Sequence, residues 1–159
     1  MRFLFACKIL SSKNWWKRGI REFARYIAEG KVEIQDVAVG EEDGYCSIST
    51  GASIAKTVEA SANGIIPLTR LDTLLRDTEV TFLKADVEGN ELQMLKGAKE
   101  LIIRCKPKIA ITVYHAQNDC WEIRDYVLSL VPEYQYQLKG MVAWGKPLML
   151  HMWVKRPST

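Results

Sequence analysis

Two acids and a histidine stand at the ends of short apolar runs in the middle of the chain. Asp86 and Glu88 follow the run that begins at Phe82, and His115 follows the run over residues 109–114. In an open α/β sheet, ligands bind outside the carboxyl ends of the strands, so we expect all three side chains at a ligand-binding edge. Neighbouring carboxylates raise one another's proton affinity, and neutral imidazole can accept a proton from a hydroxyl group. We therefore interpret Asp86, Glu88 and His115 as candidate catalytic residues.

Each of these residues could instead have a structural role. Glu88 could cap the helix that follows, Asp86 could accept hydrogen bonds from backbone N–H groups, and His115 could bond to a nearby loop. The strand-end position favours function for Asp86 and His115, and both interpretations stay open for Glu88. The same three side chains could be hard ligands of a metal-dependent hydrolase. No second group of acids supports that alternative, so we assign no metal site.

The segment that would position these side chains is a β-α-β unit over residues 81–115. Its helix begins at Gly89 or Asn90, and Glu91 in the first turn suits the positive end of the helix dipole. The predicted buried stripe of this helix consists of Leu92, Leu95, Ala98, Leu101 and Ile102. Lys106-Pro107 ends the connection, because the residue before proline resists the helical conformation. Two parallel strands joined in this way require a crossover, which is nearly always right-handed.

Periodicity and turn residues predict the remaining elements. The predictions are an amphipathic helix over 13–29, a strand over 32–39, a short strand over 45–48, a loop over 50–64, an extended segment over 65–70, a short helix over 71–75, a helix opened by Asp119, and an antiparallel hairpin of strands 134–138 and 148–154. We expect one domain overall, with an N-terminal helix region at 1–30 and the main α/β body at 31–159.

Composition excludes several classes of protein. The chain of 159 residues is 48% hydrophobic and 26% charged, with a net charge of +3. It can therefore bury a core, and its charge is too mild to imply nucleic acid. The apolar start is too short for a membrane span. The 4 cysteines form no Cys-x-x-Cys pair, which favours reduced thiols. We expect a cytoplasmic protein with no nucleic-acid or membrane partner.

Several short motifs follow one another in a consistent order. They are Ala38-Val39-Gly40 before an acidic stretch, Leu71-Asp72-Thr73-Leu74-Leu75, Asp86-Val87-Glu88-Gly89 with Glu91, Leu95 and Lys96-Gly97-Ala98 after it, Lys106-Pro107 before a strand ending in Tyr114-His115, and Asp119 opening a helix. In this order the chain closely resembles the FkbM-type methyltransferase family over residues 32–154. Each motif alone is weak, but the set of five at suitable spacing is specific.

The resemblance implies a class I, Rossmann-like fold that uses S-adenosylmethionine, mostly to O-methylate small molecules or sugars. The acceptor would then be a small-molecule or sugar hydroxyl group. The position of Asp36 and Val37 usually flanks the adenine in class I methyltransferases, so both are candidate cofactor contacts, as is Asp86. An ordinary strand-end acid is an equal alternative for Asp36.

One part of the family pattern is missing from the sequence. The family begins with a strand, a Gly-rich turn and an acid that binds the ribose, whereas Gly19 and Gly30 are the only glycines before residue 32. We therefore expect an incomplete, N-terminally truncated class I sheet of mostly parallel strands with a C-terminal antiparallel hairpin, and weak or lost S-adenosylmethionine binding. The alternative is a non-catalytic remnant or interaction module that self-associates through exposed sheet edges.

Overall fold

The computed structural model describes residues 3–6, 21–49, 57–61, 63–115, 119–141, 145 and 147–155. The elements in chain order are β1 (Phe3–Ala6), α1 (21–28), β2 (Val32–Gln35), β3 (Ala38–Val39), β4 (Gly44–Ser49), β5 (Thr57–Ala60), β6 (Ile66–Thr69), α2 (Leu71–Leu74), β7 (Phe82–Ala85), α3 (Glu91–Lys96), α4 (Lys99–Cys105), β8 (Lys108–Thr112), α5 (Asp119–Leu130), β9 (Gln135–Met141) and β10 (Pro147–Trp153). None of the helices in these ranges is long and apolar enough to cross a membrane.

Within the described residues the strands form three sheets. Two are four-stranded and of mixed direction, with the orders β7-β8-β10-β9 and β3-β6-β4-β5, and the third is the pair of β1 and β2. Parallel pairing joins β1 to β2, β3 to β6 and β7 to β8, and the other pairs are antiparallel. The prediction of mostly parallel strands is therefore wrong for this part of the chain. The hairpin of β9 and β10 is confirmed, with Leu138 opposite Leu150.

The strand β1 lies within residues 1–30, for which the sequence predicted only a helix region. It pairs in parallel with β2, with Phe3 opposite Val32 and Ala6 opposite Gln35. This pair crosses the boundary that the sequence suggested near residue 30. A run of four apolar residues shows no alternation, so periodicity alone does not identify it as a strand.

The prediction of a loop over 50–64 is wrong where the structure describes it. Residues 57–60 form β5, which pairs antiparallel with β4 so that Cys46 lies opposite Ala60. The small polar residues here lack the apolar alternation that marks a strand, and the pairing with β4 decides the conformation. Residues 50–56 and 62 lie outside the described residues, as do residues 13–20 of the predicted first helix. Within that helix, residues 21–28 are helical.

The core lies between three helices and the β7-β8-β10-β9 sheet. Its fully buried side chains include Leu95, Leu101, Ile111, Ile123 and Leu150, which come from α3, α4, β8, α5 and β10. Apolar burial on this scale contributes roughly 1.5–3 kcal/mol for each large side chain. The β-α-β unit is therefore held rigidly behind the edge where Asp86 and His115 emerge. A separate buried cluster of Ala38, Cys46, Ile66 and Leu68 belongs to the β3-β6-β4-β5 sheet.

The helix predicted after Asn90 is two helices. It breaks at Gly97 and Ala98, between α3 and α4. A Cβ atom at Gly97 would overlap the carbonyl oxygen of Gly40, so only glycine permits this close approach of two backbones. The carboxylate of Asp72 accepts hydrogen bonds from the backbone N–H groups of Glu100 and Leu101 and so caps α4 from a distant element.

Candidate functional site

The site begins where two neighbouring parallel strands end. β7 pairs with β8 in parallel, and Ala85 lies opposite Ile111. Asp86 directly follows β7 and His115 follows β8, so both emerge at the same edge of the sheet. The strand-end placement predicted for the acids and the histidine is therefore what the structure has. This is the edge at which open α/β sheets bind ligands.

The turn after β7, residues 86–91, is here called the acidic turn. Its backbone is left-handed at Glu88, with φ of 56°, and at Gly89, with φ of 100°. Glycine adopts this conformation freely, whereas glutamate does so rarely and at an energetic cost. Strained residues of this kind are concentrated at functional sites, because the surrounding structure must hold them in place.

Glu91, the first residue of α3, holds the acidic turn from inside. Its side chain is only 1% exposed, and its carboxylate accepts hydrogen bonds from the backbone N–H groups of Val87 at 2.9 Å and Gly89 at 3.0 Å. A buried carboxylate is tolerated when several hydrogen bonds compensate for its lost hydration. Glu91 thereby fixes the backbone on both sides of Glu88.

The imidazole of His115 lies between two glutamates. Its Nδ1 atom is 3.2 Å from Oε1 of Glu91, and its Nε2 atom is 3.4 Å from Oε2 of Glu88. The side chain is only 9% exposed, yet neither nitrogen makes a hydrogen bond of acceptable geometry. Both nitrogens therefore lie within ion-pair distance of a carboxylate without being aligned for a hydrogen bond. Buried nitrogen atoms without hydrogen bonds are uncommon in folded proteins. The two nitrogens of His115 are therefore candidates to bind a proton or a ligand.

Thr112 connects the two carboxylates at the base of the site. Its hydroxyl oxygen is 3.1 Å from Oδ1 of Asp86 and 3.1 Å from Oε1 of Glu91. A hydroxyl group has one proton, so it can donate to only one of these oxygens at a time. At the other contact, two acceptor oxygens face each other without a proton between them. A proton or a cation bound there would remove their repulsion.

The site as a whole carries excess negative charge. Within the described residues, His115 is the only basic side chain that pairs with Glu88 or Glu91. Burial raises the pKa of the neighbouring Tyr114 phenol, and the charges of Asp86, Glu88 and Glu91 raise that pKa further. Tyr114 therefore stays protonated at neutral pH, and its ring packs on His115 with the centroids 4.2 Å apart.

The sequence predictions for the site have three outcomes. The structure brings Glu88 and His115 together, and it links Asp86 to the same cluster through Thr112. The cofactor candidates Asp36 and Val37 follow β2, in a different sheet, and Asp36 is exposed there. Their role stays a prediction.

Glu91 and Thr112 are the residues of this cluster that sequence reasoning missed, and Asn90 is a buried neighbour in the acidic turn. Glu91 was interpreted only through the helix dipole, although it belongs to the motif after Asp86. Its burial depends on tertiary packing, which no local pattern reveals. Asn90 is 7% exposed, and its side-chain nitrogen has no hydrogen-bond partner. Nothing in the pattern of the sequence distinguishes it from an exposed helix-start asparagine.

A family model named the methyltransferase FkbM domain matches residues 26–138. The preceding geometry defines the class of protein. It has an α/β fold with acids and a histidine at the carboxyl ends of parallel strands. The match covers most of the chain, so the protein belongs to the FkbM methyltransferase domain family, and the resemblance of its motifs to that family is confirmed.

The fold is also that of a solved structure. The crystal structure of methyltransferase FkbM from Methylobacillus flagellatus KT superposes with a TM-score of 0.71 and 24% sequence identity. The similarity covers 96% of this chain and 36% of that chain, so the present chain spans about a third of its length. No curated protein matches the sequence.

Proposed function

We propose that the protein transfers a methyl group from S-adenosylmethionine to a hydroxyl group of a small molecule or a sugar. The observation that carries this proposal is the buried imidazole of His115, 3.2 Å from the Glu91 carboxylate, at the strand-end edge of an FkbM methyltransferase domain. A hydroxyl group that accepts a methyl group must lose its proton, and the site offers a base for it.

The roles of the residues follow from their contacts. S-adenosylmethionine supplies an electrophilic methyl group when it is bound, and transfer is an in-line displacement that depends mainly on alignment. His115 would accept the hydroxyl proton as the new bond between carbon and oxygen forms. The resulting imidazolium would be stabilised by Glu91 on its Nδ1 side and by Glu88 on its Nε2 side. Asp86 would accept a hydrogen bond from the acceptor molecule and orient it.

For Asp36 we propose a contact with the ribose rather than with the adenine that the sequence suggested, because β1 precedes β2 and pairs with it in parallel. Asp36 lies at the carboxyl end of a strand in a parallel pair, and it is exposed. A carboxylate at such a position can accept hydrogen bonds from ribose hydroxyl groups, as in dinucleotide-binding folds. Val37 is half-buried beside it and could contact the adenine.

The methionine end of the cofactor has weaker support. Residues 7–10, which follow β1, contain no glycine. A Gly-rich turn lets backbone N–H groups approach a ligand closely, and each charge-assisted hydrogen bond lost is worth roughly 1.5–3 kcal/mol. We therefore expect the affinity of this chain for S-adenosylmethionine to be at least roughly tenfold lower than that of a family member with such a turn.

Calorimetry with S-adenosylmethionine and the purified chain tests both parts of this proposal. We expect weak binding by the wild type and weaker binding by the variant Asp36→Asn. The control variant Asp77→Asn replaces an exposed acid distant in sequence from Asp36 and should bind as the wild type does. Tight binding would contradict the expected loss of affinity. Binding that Asp36→Asn leaves unchanged would contradict the assignment of the ribose site.

Exposed sheet edges support a second, non-catalytic function as a self-associating module. β7 lies at the end of its four-stranded sheet in the described part of the chain, and Phe82 on it is 53% exposed. An unpaired strand edge with an exposed aromatic residue is a template for pairing with another chain. Size-exclusion chromatography should show a dimer that Phe82→Lys converts to a monomer, whereas a wild-type monomer at all concentrations would exclude this function.

A further inference from the structure

We propose that Asp86, Glu91 and His115 form a binding site for one divalent first-row transition-metal cation. The proposal concerns the same edge as the proposed methyl transfer but does not depend on it. It also differs from the metal set suggested by sequence alone, because Glu91 replaces Glu88. The ligands would be two carboxylate oxygens and one imidazole nitrogen.

The geometry of the three side chains is compact enough for a single ion. One ligand atom from each residue can be chosen so that all three lie within 4.8 Å of one another. Atoms bound to one ion at about 2.1 Å each are at most about 4.2 Å apart, so a pair separated by the full 4.8 Å would need to close by about 0.6 Å. Rotation of the half-buried Asp86 side chain supplies such a movement, while Glu91 is held by the backbone N–H groups of Val87 and Gly89.

His115 provides an independent indication of a ligand. Its side chain is more than nine-tenths buried and faces Glu91, yet neither ring nitrogen makes a hydrogen bond. A structural histidine in a protein interior is normally held by hydrogen bonds at its nitrogens. A metal ion would occupy one nitrogen, and the nearby Glu88 carboxylate could accept a hydrogen bond from the other, which is the usual arrangement of a metal-binding histidine.

The charge of the cluster points in the same direction. Thr112 lies at the same distance from oxygens of Asp86 and Glu91, and its one proton cannot serve both. Within the described residues, no lysine or arginine pairs with Asp86, Glu88 or Glu91. A divalent cation would offset this charge where the histidine alone does not.

The donor set selects the class of ion. Carboxylates suit Mg²⁺, Ca²⁺ and Mn²⁺, whereas imidazole suits Zn²⁺, Fe²⁺, Cu²⁺ and Ni²⁺. Mn²⁺ is the probe because it is the first-row transition-metal ion that suits the two carboxylates. Once the ion is bound, His115 would act as a ligand, and Glu88, which is 44% exposed, would become the proton acceptor of the methyl transfer.

Titration of the tag-free, full-length chain with Mn²⁺ alone tests the site. Free Mn²⁺ is read by electron paramagnetic resonance, and a tag is avoided because polyhistidine binds metal. We expect one ion per chain, with an affinity at least about tenfold lower in Asp86→Asn and in His115→Asn. The exposed-acid variant Asp77→Asn should bind as the wild type does, and Glu88→Gln, which keeps an oxygen acceptor for His115, should weaken binding less than either ligand variant.

Three results would overturn the proposal: no saturable binding, equal binding by wild type, Asp86→Asn and His115→Asn, or loss of binding in Asp77→Asn. Circular dichroism and thermal melting of each variant without metal establish that it is folded. If Glu91→Gln does not fold, the other two ligand variants still decide the question. Failure of methyl transfer leaves this readout unaffected, so the two proposals fail separately.

Discussion

Two groups of acids in this protein have opposite surroundings. Asp43 and Asp72, here called the structural acids, are surrounded by donors. The carboxylate of Asp72 accepts from the backbone N–H groups of Glu100 and Leu101 and from Arg70, and that of Asp43 accepts from Arg70 N, Thr69 and Thr73. The acidic turn and His115 instead bring carboxylates together with few donors beyond two backbone N–H groups and one hydroxyl group.

The difference separates acids that stabilise the fold from acids for which we propose a function. Where donors match acceptors, a carboxylate ties distant elements together, as Asp72 ties α2 to α4. Where acceptors outnumber donors, the protein keeps an arrangement that is not optimal for its own stability. This imbalance is the physical reason for the ligand that we propose at the acidic turn.

Replacing Asp72 should have the largest effect on stability. Asp72→Ala leaves the first N–H groups of α4 without their acceptor and also removes the pair with Arg70, so we expect the free energy of unfolding to fall by about 3 kcal/mol. Urea denaturation measures this. Asp72→Asn keeps one oxygen acceptor and should cost about half as much. A loss below about 0.5 kcal/mol for Asp72→Ala would remove the structural side of the comparison.

Replacing His115 should separate activity from stability. His115→Asn removes two nitrogens that have no hydrogen bond, so we expect the free energy of unfolding to change by less than about 1 kcal/mol. Methyl transfer by the metal-free protein at saturating S-adenosylmethionine should fall by about 100-fold or more, because His115 is the proposed proton acceptor in that state. Activity is followed by the appearance of S-adenosylhomocysteine. If His115→Asn is strongly destabilised but fully active, His115 has a structural role like that of Asp43 and Asp72.

The smallest expected effect is a pH dependence from Asp43. Burial acts to raise the pKa of its carboxyl group, but the donors Arg70 N, Thr73 and Thr69 and the charge of Arg70 together lower the pKa below its ordinary value. A carboxyl group whose pKa is lower in the folded state contributes stability above its unfolded pKa, near 4, and this stability is lost as pH falls through the folded pKa. Urea denaturation at pH 2 to 6 should show a shallower dependence for Asp43→Asn than for the wild type. Identical slopes would show that Asp43 does not contribute.

The elements with strong local signals were predicted well. The hairpin of β9 and β10, the short helix α2, the β-α-β unit and the helix that begins at Asp119 all correspond to predictions. These segments have apolar periodicity or turn residues that act within a few positions of the chain. Two strands, β1 and β5, were missed because their conformation depends on partners that are distant in sequence, β2 for the first and β4 for the second.

The break between α3 and α4 has the same explanation. Its apolar stripe continues through Gly97, so periodicity predicts one helix. The approach of Gly40 and the capping of α4 by Asp72 come from other segments, and they end the first helix. Local propensity is weak compared with such contacts.

The amino-acid sequence by itself determined the family, the order of the main elements and the position of Asp86, Glu88 and His115 after strands, because residue types, spacing and periodicity are local properties. Only the tertiary structure decided that Glu91 is buried and that its carboxylate faces His115. Burial and unsatisfied hydrogen bonds depend on which segments pack together. That packing depends on contacts between segments that are distant in the sequence.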